Sequence, residues 1–199
     1  MLREELSNSE IEISKVAKLP TKFGNFLIQA FKEVSLNKEH LAIWTDNLAE
    51  MEAPIVRIHS ECLTGDTLGS LKCDCGEQLD FAMERVQQNG GLIIYLRQEG
   101  RNIGLVNKVN AYHLQDVGLN TVEANHQLGF EADERRYDIA DYILKYLNIK
   151  KIRLLTNNPN KLSMLKSVEI VDRVPIIIKD NPYNREYLNI KKSQMGHLL

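Results

Sequence analysis

All three cysteines of this chain lie in one short stretch, HSECLTGDTLGSLKCDCG, residues 59–76. Ten residues separate Cys62 from Cys73, and one separates Cys73 from Cys75. Thiolates are soft ligands that favour zinc, and zinc prefers four tetrahedral ligands. Cys73 and Cys75 can share one ion if CDCG bends, which Asp74 and Gly76 permit. Three protein ligands with one open corner is the pattern of a catalytic centre, and four is the structural pattern. His59, three residues before Cys62, could close the corner. A plainer alternative treats the cysteines as small buried apolar residues. With the corner open, the chemistry is metal-assisted hydrolysis, with Glu61 beside a ligand and near the reacting water.

Three further clusters have residue types suited to a nucleotide. RQEGRNIGL (97–105) holds two arginines that could clamp phosphate and two glycines that allow close backbone approach. Its alternative is a solvated charged turn before a helix. TVEANHQLGFEADERRYD (121–138) is dense in polar groups with little apolar periodicity, which reads as a long functional loop. Its Asp-Glu-Arg-Arg run could equally cap and brace the helix that follows. LLTNNPNK (154–161) offers Thr156, Asn157, Asn158 and Lys161 after an apolar run, or else a simple Asn-Pro turn.

The elements that must position these clusters are legible in outline. NFLIQAF, LAIWT and APIVRIHS read as strands. Leu79, Ala82, Met83 and Val86 recur at helical spacing over 77–88, and NGG ends that run. Residues 92–96 read as a buried strand, 105–118 as a helix closed by Gly118, and 136–147 as an amphipathic helix. Residues 151–159 read as a strand entering a polar turn, and RVPIIIK (173–179) as one more strand. The alternation predicts an α/β fold: a mixed, partly parallel sheet with helices packed on its faces. HSEC, RQEGRN and TNNPNK each follow an apolar run, so they are expected to converge at the carboxyl ends of strands.

Composition narrows the function classes. Hydrophobic residues make up 43% and charged residues 26% of the 199, and the formal net charge is −2. No bulk basic field points to nucleic acid or an anionic membrane. The amino-terminal stretch lacks the apolar core of a signal peptide, and no apolar run reaches membrane-spanning length. A cytoplasmic protein is the expectation, and there a tight cysteine cluster reads as metal-binding or catalytic before disulfide.

Taken in chain order, RIHSECLTGD, CDCG, RQEGRNIGL, NTVEANHQLGF, ADERRYD and TNNPNK resemble the motifs of GTP cyclohydrolase II. KLPTKFGNF near the start and MGHLL at the end are similar to that family's ends. The resemblance implies one stand-alone GTP cyclohydrolase II-like domain over residues 1–199, working as a homodimer. It implies hydrolysis of GTP at carbon 8 of guanine, with release of formate and pyrophosphate. The product would be a diaminopyrimidinone ribosylamine phosphate, the first intermediate toward riboflavin. Zinc would serve the ring chemistry and magnesium the phosphates. Carried over by motif, Cys62, Cys73 and Cys75 match the zinc ligands. Asp133 matches the proton acceptor, and Arg135 a nucleophile toward the α-phosphorus. Tyr112 matches a tyrosine near the ring chemistry. Arg57, Ile58, His59, Ser60, Glu61, Gln78, Glu99, Gly100, Arg101, Thr121, Thr156 and Lys161 match positions that contact GTP, with Glu99 suited to the guanine edge.

Elementary chemistry qualifies one role: arginine, with a pKa above about 12, is a poor nucleophile, so Arg135 reads equally as a clamp on the α-phosphate. The connection after Lys161 is slightly shorter than the family's usual one and lacks its glycine. Two other readings compete. His59-Ser60-Glu61 resembles half of the zinc deaminase signature, but the second half requires two residues between its cysteines. A non-catalytic nucleotide-binding module would hold a structural zinc closed by His59.

Overall fold

A computed structural model describes residues 6, 7, 9–131, 133–196 and 198. Parts of the MGHLL and ADERRYD matches lie outside the described residues. The chain forms two compact units, each built from three separate segments. The first takes the segment ending at His59, Asp80–Leu96 and Tyr137–Ile176. The second takes Ser60–Leu79, Arg97–Arg136 and the segment from Ile177 onward.

The first unit is organised on an eight-stranded mixed sheet. Its strands are β1 (Ile11–Ile13), β2 (Ala17–Thr21), β3 (Gly24–Glu33), β4 (Lys38–Trp44), β5 (Ile55–Ser60), β6 (Gly91–Leu96), β7 (Lys151–Leu155) and β8 (Glu169–Val174). The order is β1-β3-β4-β6-β5-β7-β8, with β2 also paired to β3. One half is antiparallel, from β1 to β6. The other is parallel, with β5 beside β7 and β7 beside β8. The parallel pairing sets the carboxyl ends of β5 and β7 side by side. Leu92, Ile93 and Ile94 are all fully buried, as expected of a central strand covered on both faces.

Helix α5 (Asp138–Tyr146) contributes Ile139, Ala140, Ile143 and Leu144 to the core that also holds Val56, Ile58, Leu92, Leu96, Ile152 and Leu154. Each large aliphatic buried there is stabilised by about 1.5–3 kcal/mol relative to exposure. The connection after Lys161 consists of α6 (Asn160–Met164) and a turn held by Asp141 of α5. The Lys166 and Ser167 amides donate to the Asp141 carboxylate at 3.1 Å, and the Ser167 hydroxyl does so at 2.7 Å.

The second unit contains α1 (Leu63–Asp66), the start of α2 (Cys75–Asn89), α3 (Leu105–Asp116), α4 (Thr121–Gln127) and α7 (Arg185–Met195). Two expectations are corrected. The last strand spans 169–174 instead of 173–179, because Pro175 has no N–H to donate to a ladder. The polar segment from 121 opens as a helix, not a loop. Asn120 accepts from the Val122 and Glu123 amides at 2.9 and 3.0 Å, and Glu123 reaches back to the Asn120 amide at 2.8 Å. That reciprocal cap satisfies three otherwise orphaned donors. Among the described residues, no helix is long and apolar enough to cross a membrane.

Candidate active site

Cys62 sits just before α1, and Cys75 opens α2 after a bend at Asp74. The sulfurs of Cys62, Cys73 and Cys75 lie within 4.8 Å of one another, and Cys62 and Cys73 are 3.6 Å apart. Ligands at about 2.3 Å around a tetrahedral zinc sit about 3.8 Å apart, so the donor set fits that ion. Among the described residues, the group able to hold a metal consists of these three cysteines, without His59. His59 belongs to the first unit, where its ring stacks on Tyr95 at 5.4 Å. The cluster present among the described residues is one of three thiols.

Two glycines make the cluster possible. A Cβ on Gly76 would fall 2.4 Å from the Gly65 carbonyl, so the two backbones meet there without side chains. A Cβ on Gly65 would lie 2.9 Å from the Cys73 sulfur and 3.1 Å from that of Cys62. Asp66 accepts the Cys62 amide at 3.0 Å and fixes the first ligand's backbone. Asp74, almost fully buried, accepts from the Gln78 side chain at 2.5 Å, so that amide helps shape the bend.

The cluster carries its charge unevenly. Hydrogen bonds from Cys73 and Cys75, then the nearby Lys108 ammonium, hold the Cys62 thiol far below its ordinary range against the effect of burial. Its ionisation in turn pushes Cys73 up to about 11 and raises Cys75 further. Lys108 donates to the Cys62 sulfur at 3.0 Å and to Glu99 Oε1 at 2.8 Å. Burial opposes the charge on Lys108, but those two bonds outweigh it and the ammonium stays protonated. Tyr112 contacts the Thr64 hydroxyl at 3.2 Å, and Thr64 lies 3.7 Å from the Cys62 sulfur. Burial pushes the phenol up to about 12, so it is a hydrogen-bond donor at neutral pH.

The RQEGRN cluster forms a tight turn in this unit. Gly100, Arg101 and Asn102 have φ of 61°, 60° and 79°. Left-handed backbone costs roughly 1–2 kcal/mol at each non-glycine residue, and such strain concentrates at functional sites. Arg97 pairs with Glu61 at 2.8 Å, and Arg101 lies over the Tyr187 ring at 6.0 Å. Thr121 is the first residue of α4. Arg135 donates Nε to Asp133 Oδ1 at 2.8 Å and Nη2 to Oδ2 at 2.5 Å, a bidentate pair. Burial would raise the Asp133 pKa, but Arg135 outweighs it and holds the carboxyl below its usual range. This pair is what the Asp-Glu-Arg-Arg run builds. It does not cap α5, where Tyr137 stands at the cap position and its side chain makes no capping bond.

The remaining expected positions lie in the first unit, apart from Ser60 at the end of β5. Arg57 donates to the Leu155 carbonyl at 3.1 Å, tying β5 to β7. Lys161, 4% exposed, donates to the Ile58 carbonyl at 2.7 Å and lies over the Tyr137 ring at 5.7 Å. TNNPNK thus meets β5 through the bond from Lys161 to Ile58. The Ile58 side chain belongs to the core, and its carbonyl is the one that Lys161 takes. Thr156 accepts the Asn158 amide at 3.0 Å, and Asn157 exchanges hydrogen bonds with the Ile176 backbone. Asn157 therefore closes the turn.

Sequence reasoning missed Lys108, Gly65 and Asp66. Helical spacing could have found Lys108, since Ala111 and Tyr112 follow it at i+3 and i+4 and place it on the inward face.

The chain resembles known proteins over nearly its whole length. The family model for GTP cyclohydrolase II matches residues 12–175. The GTP cyclohydrolase-2 of Campylobacter hominis is 62% identical over 190 residues, covering 95% of this chain and 96% of the relative. That of Helicobacter pylori is 56% identical over 191 residues, covering 95% and 98%. A crystal structure of a two-domain 3,4-dihydroxy-2-butanone 4-phosphate synthase from A. baumannii aligns with a TM-score of 0.50 at 18% identity. It covers 86% of this chain and 41% of that one, a likeness of fold alone.

Proposed function

Because this chain belongs to the GTP cyclohydrolase II family, we propose that it opens the guanine ring of GTP at carbon 8. Formate and pyrophosphate leave, and the product is the diaminopyrimidinone ribosylamine phosphate that begins riboflavin biosynthesis. The observation that carries the reading is the buried cluster of three sulfurs, which has no fourth protein ligand among the described residues. Cys62, Cys73 and Cys75 would hold one zinc, which when bound supplies Lewis acidity and activates water near neutral pH. A deaminase would share the metal but release ammonia, and a structural site would need a fourth ligand.

The protein's own groups are assigned as follows. Tyr112, a neutral phenol beside Thr64, donates a hydrogen bond where charge develops during ring opening. Arg135 serves the α-phosphate. Its bidentate hold on Asp133 keeps the guanidinium protonated and planar, which favours a clamp over a nucleophile. Arg101, in the same unit as Arg135, supplies a further cation for the triphosphate, with magnesium assisting. The short connection after Lys161 leaves that residue tied to β5. The whole chain acts as one cytoplasmic catalytic domain, since neither unit is a continuous segment. Val106 and Val109, exposed on α3, suit a homodimer contact.

The test is to incubate zinc-replete protein with GTP and magnesium and to measure formate, pyrophosphate and pyrimidine together. All three should appear in equal amounts. Ammonia without formate would favour the deaminase, and no turnover would favour a binding module. A guanylyl adduct on the Arg135 peptide, trapped during turnover, would convert the clamp into the nucleophile.

A further inference from the structure

We propose that Lys108 is a positioning residue for the metal ligand Cys62, and that Glu99 holds Lys108 in place. The inference rests on the zinc reading of the cysteine cluster. The Lys108 side chain is 10% exposed and gives hydrogen bonds to the Cys62 sulfur and to Glu99 Oε1. The Glu99 side chain is equally buried. Its Oε1 also accepts the Gly100 amide at 2.8 Å, and its Oε2 accepts the Leu63 amide at 2.6 Å. A carboxylate has roughly four acceptor sites, and three are occupied, so Glu99 is held firmly where it meets Lys108.

The backbone is shaped for this arrangement. The left-handed turn at Gly100 folds the Glu99 carboxylate back onto the next amide. A Cβ at position 100 would press on the Lys108 Cβ at 3.1 Å. Leu63, whose amide Glu99 takes, directly follows Cys62, so one carboxylate steadies both the ligand's chain and the ligand's cation. Three thiolates around a dication leave one net negative charge in a buried site, and the ammonium offsets it. A hydrogen bond to a thiolate also weakens its donation, which leaves the bound metal more electrophilic.

Cobalt in place of zinc reports the sulfur directly through its thiolate-to-metal charge-transfer band. In Lys108→Met that band should move to lower energy, and zinc should bind roughly 10- to 100-fold more weakly. Lys108→Arg, which keeps a cationic donor, should recover most of both. Glu99→Gln should move the band and weaken zinc in the same direction. A folded Lys108→Met protein with an unmoved band and undiminished zinc affinity would overturn the inference. So would a Glu99→Gln protein with band and zinc affinity both unmoved, since Lys108 would then need no hold from Glu99. If Lys108→Met fails to fold, Glu99→Gln decides alone, because it loosens Lys108 without removing its packing. A wild-type protein with no cobalt band would instead remove the zinc reading, and the inference with it.

Discussion

Replacing Gly65 with alanine places one methyl group against all three cysteines. Its carbon would lie 2.9 Å from the Cys73 sulfur, 3.0 Å from the Cys75 Cβ and 3.1 Å from the Cys62 sulfur. Ordinary van der Waals contact needs roughly half an ångström more in each case. In metal-free protein a thiol can rotate away, and alanine in a helix gains roughly 0.5–1 kcal/mol over glycine. The melting temperature of the apo form should therefore change little. In the metal-bound form the sulfurs are fixed by coordination and cannot yield. Overpacking of one methyl costs about 1–3 kcal/mol. At about 1.4 kcal/mol per tenfold, zinc should bind roughly 5- to 150-fold more weakly. Chelator competition measures the affinity, and thermal melts of apo protein measure the fold. Zinc binding as tight as in the parent would refute the premise that these three sulfurs close on one ion around Gly65. Loss of apo stability of the same size would show that the methyl damages the unit itself.

Cys73→Ser or Cys75→Ser should abolish metal content and formate release while circular dichroism stays native. Undiminished formate release by either would remove zinc from the mechanism. Tyr112→Phe deletes the hydroxyl beside Thr64 and should accumulate the ring-opened formamide, seen by chromatography of the products; full deformylation by that variant would free Tyr112 of its role. Asp133 carries a pH signature. Its folded pKa lies below the ordinary value of about 3.9. Its pairing therefore stabilises the fold above that value, and the contribution is lost as pH falls through the depressed folded pKa. Asp133→Asn should reduce stability at neutral pH by at most about 1 kcal/mol and flatten the acid limb below pH ~4. Urea titrations of both proteins check this, and identical acid limbs would show that the pair contributes nothing.

What can be read from the sequence is what lies close along the chain. The helix at 75–89 has its apolar residues at helical spacing and two glycines beyond its end, so its limits follow from local pattern. The strand at 91–96 is a short apolar run because both its faces are covered. Strand β8 lies earlier than the apolar pattern suggests. Three isoleucines after Pro175 favour a strand there, but the missing N–H ends the ladder at Val174. Helix α4 is hard to see because its core contribution is slight. Only Ala124 and Asn125 are buried, and its cap rests on Asn120 and Glu123, whose spacing the sequence does display.

The site divides along the same line. Cys62, Cys73 and Cys75 are legible because three thiols so close in sequence seldom gather for packing alone. Lys108 is only half legible: its spacing to Ala111 and Tyr112 places it on their face of the helix, but nothing local says that it meets a residue 46 positions earlier. Chemical suitability alone points Glu99 toward guanine, as a carboxylate facing N–H donors. What the sequence does not display is the set of donors that already surround that carboxylate. Here those donors come from Leu63, Gly100 and Lys108, three separate places in the sequence. The turn that gathers them requires glycine at 100, both for its backbone angle and for the space that Lys108 fills. From the sequence, the glycines of RQEGRNIGL suggest a phosphate approaching the backbone. Gly100 also leaves the space that Lys108 fills on its way to the Cys62 sulfur, so its replacement by alanine should disturb the cysteine cluster as well.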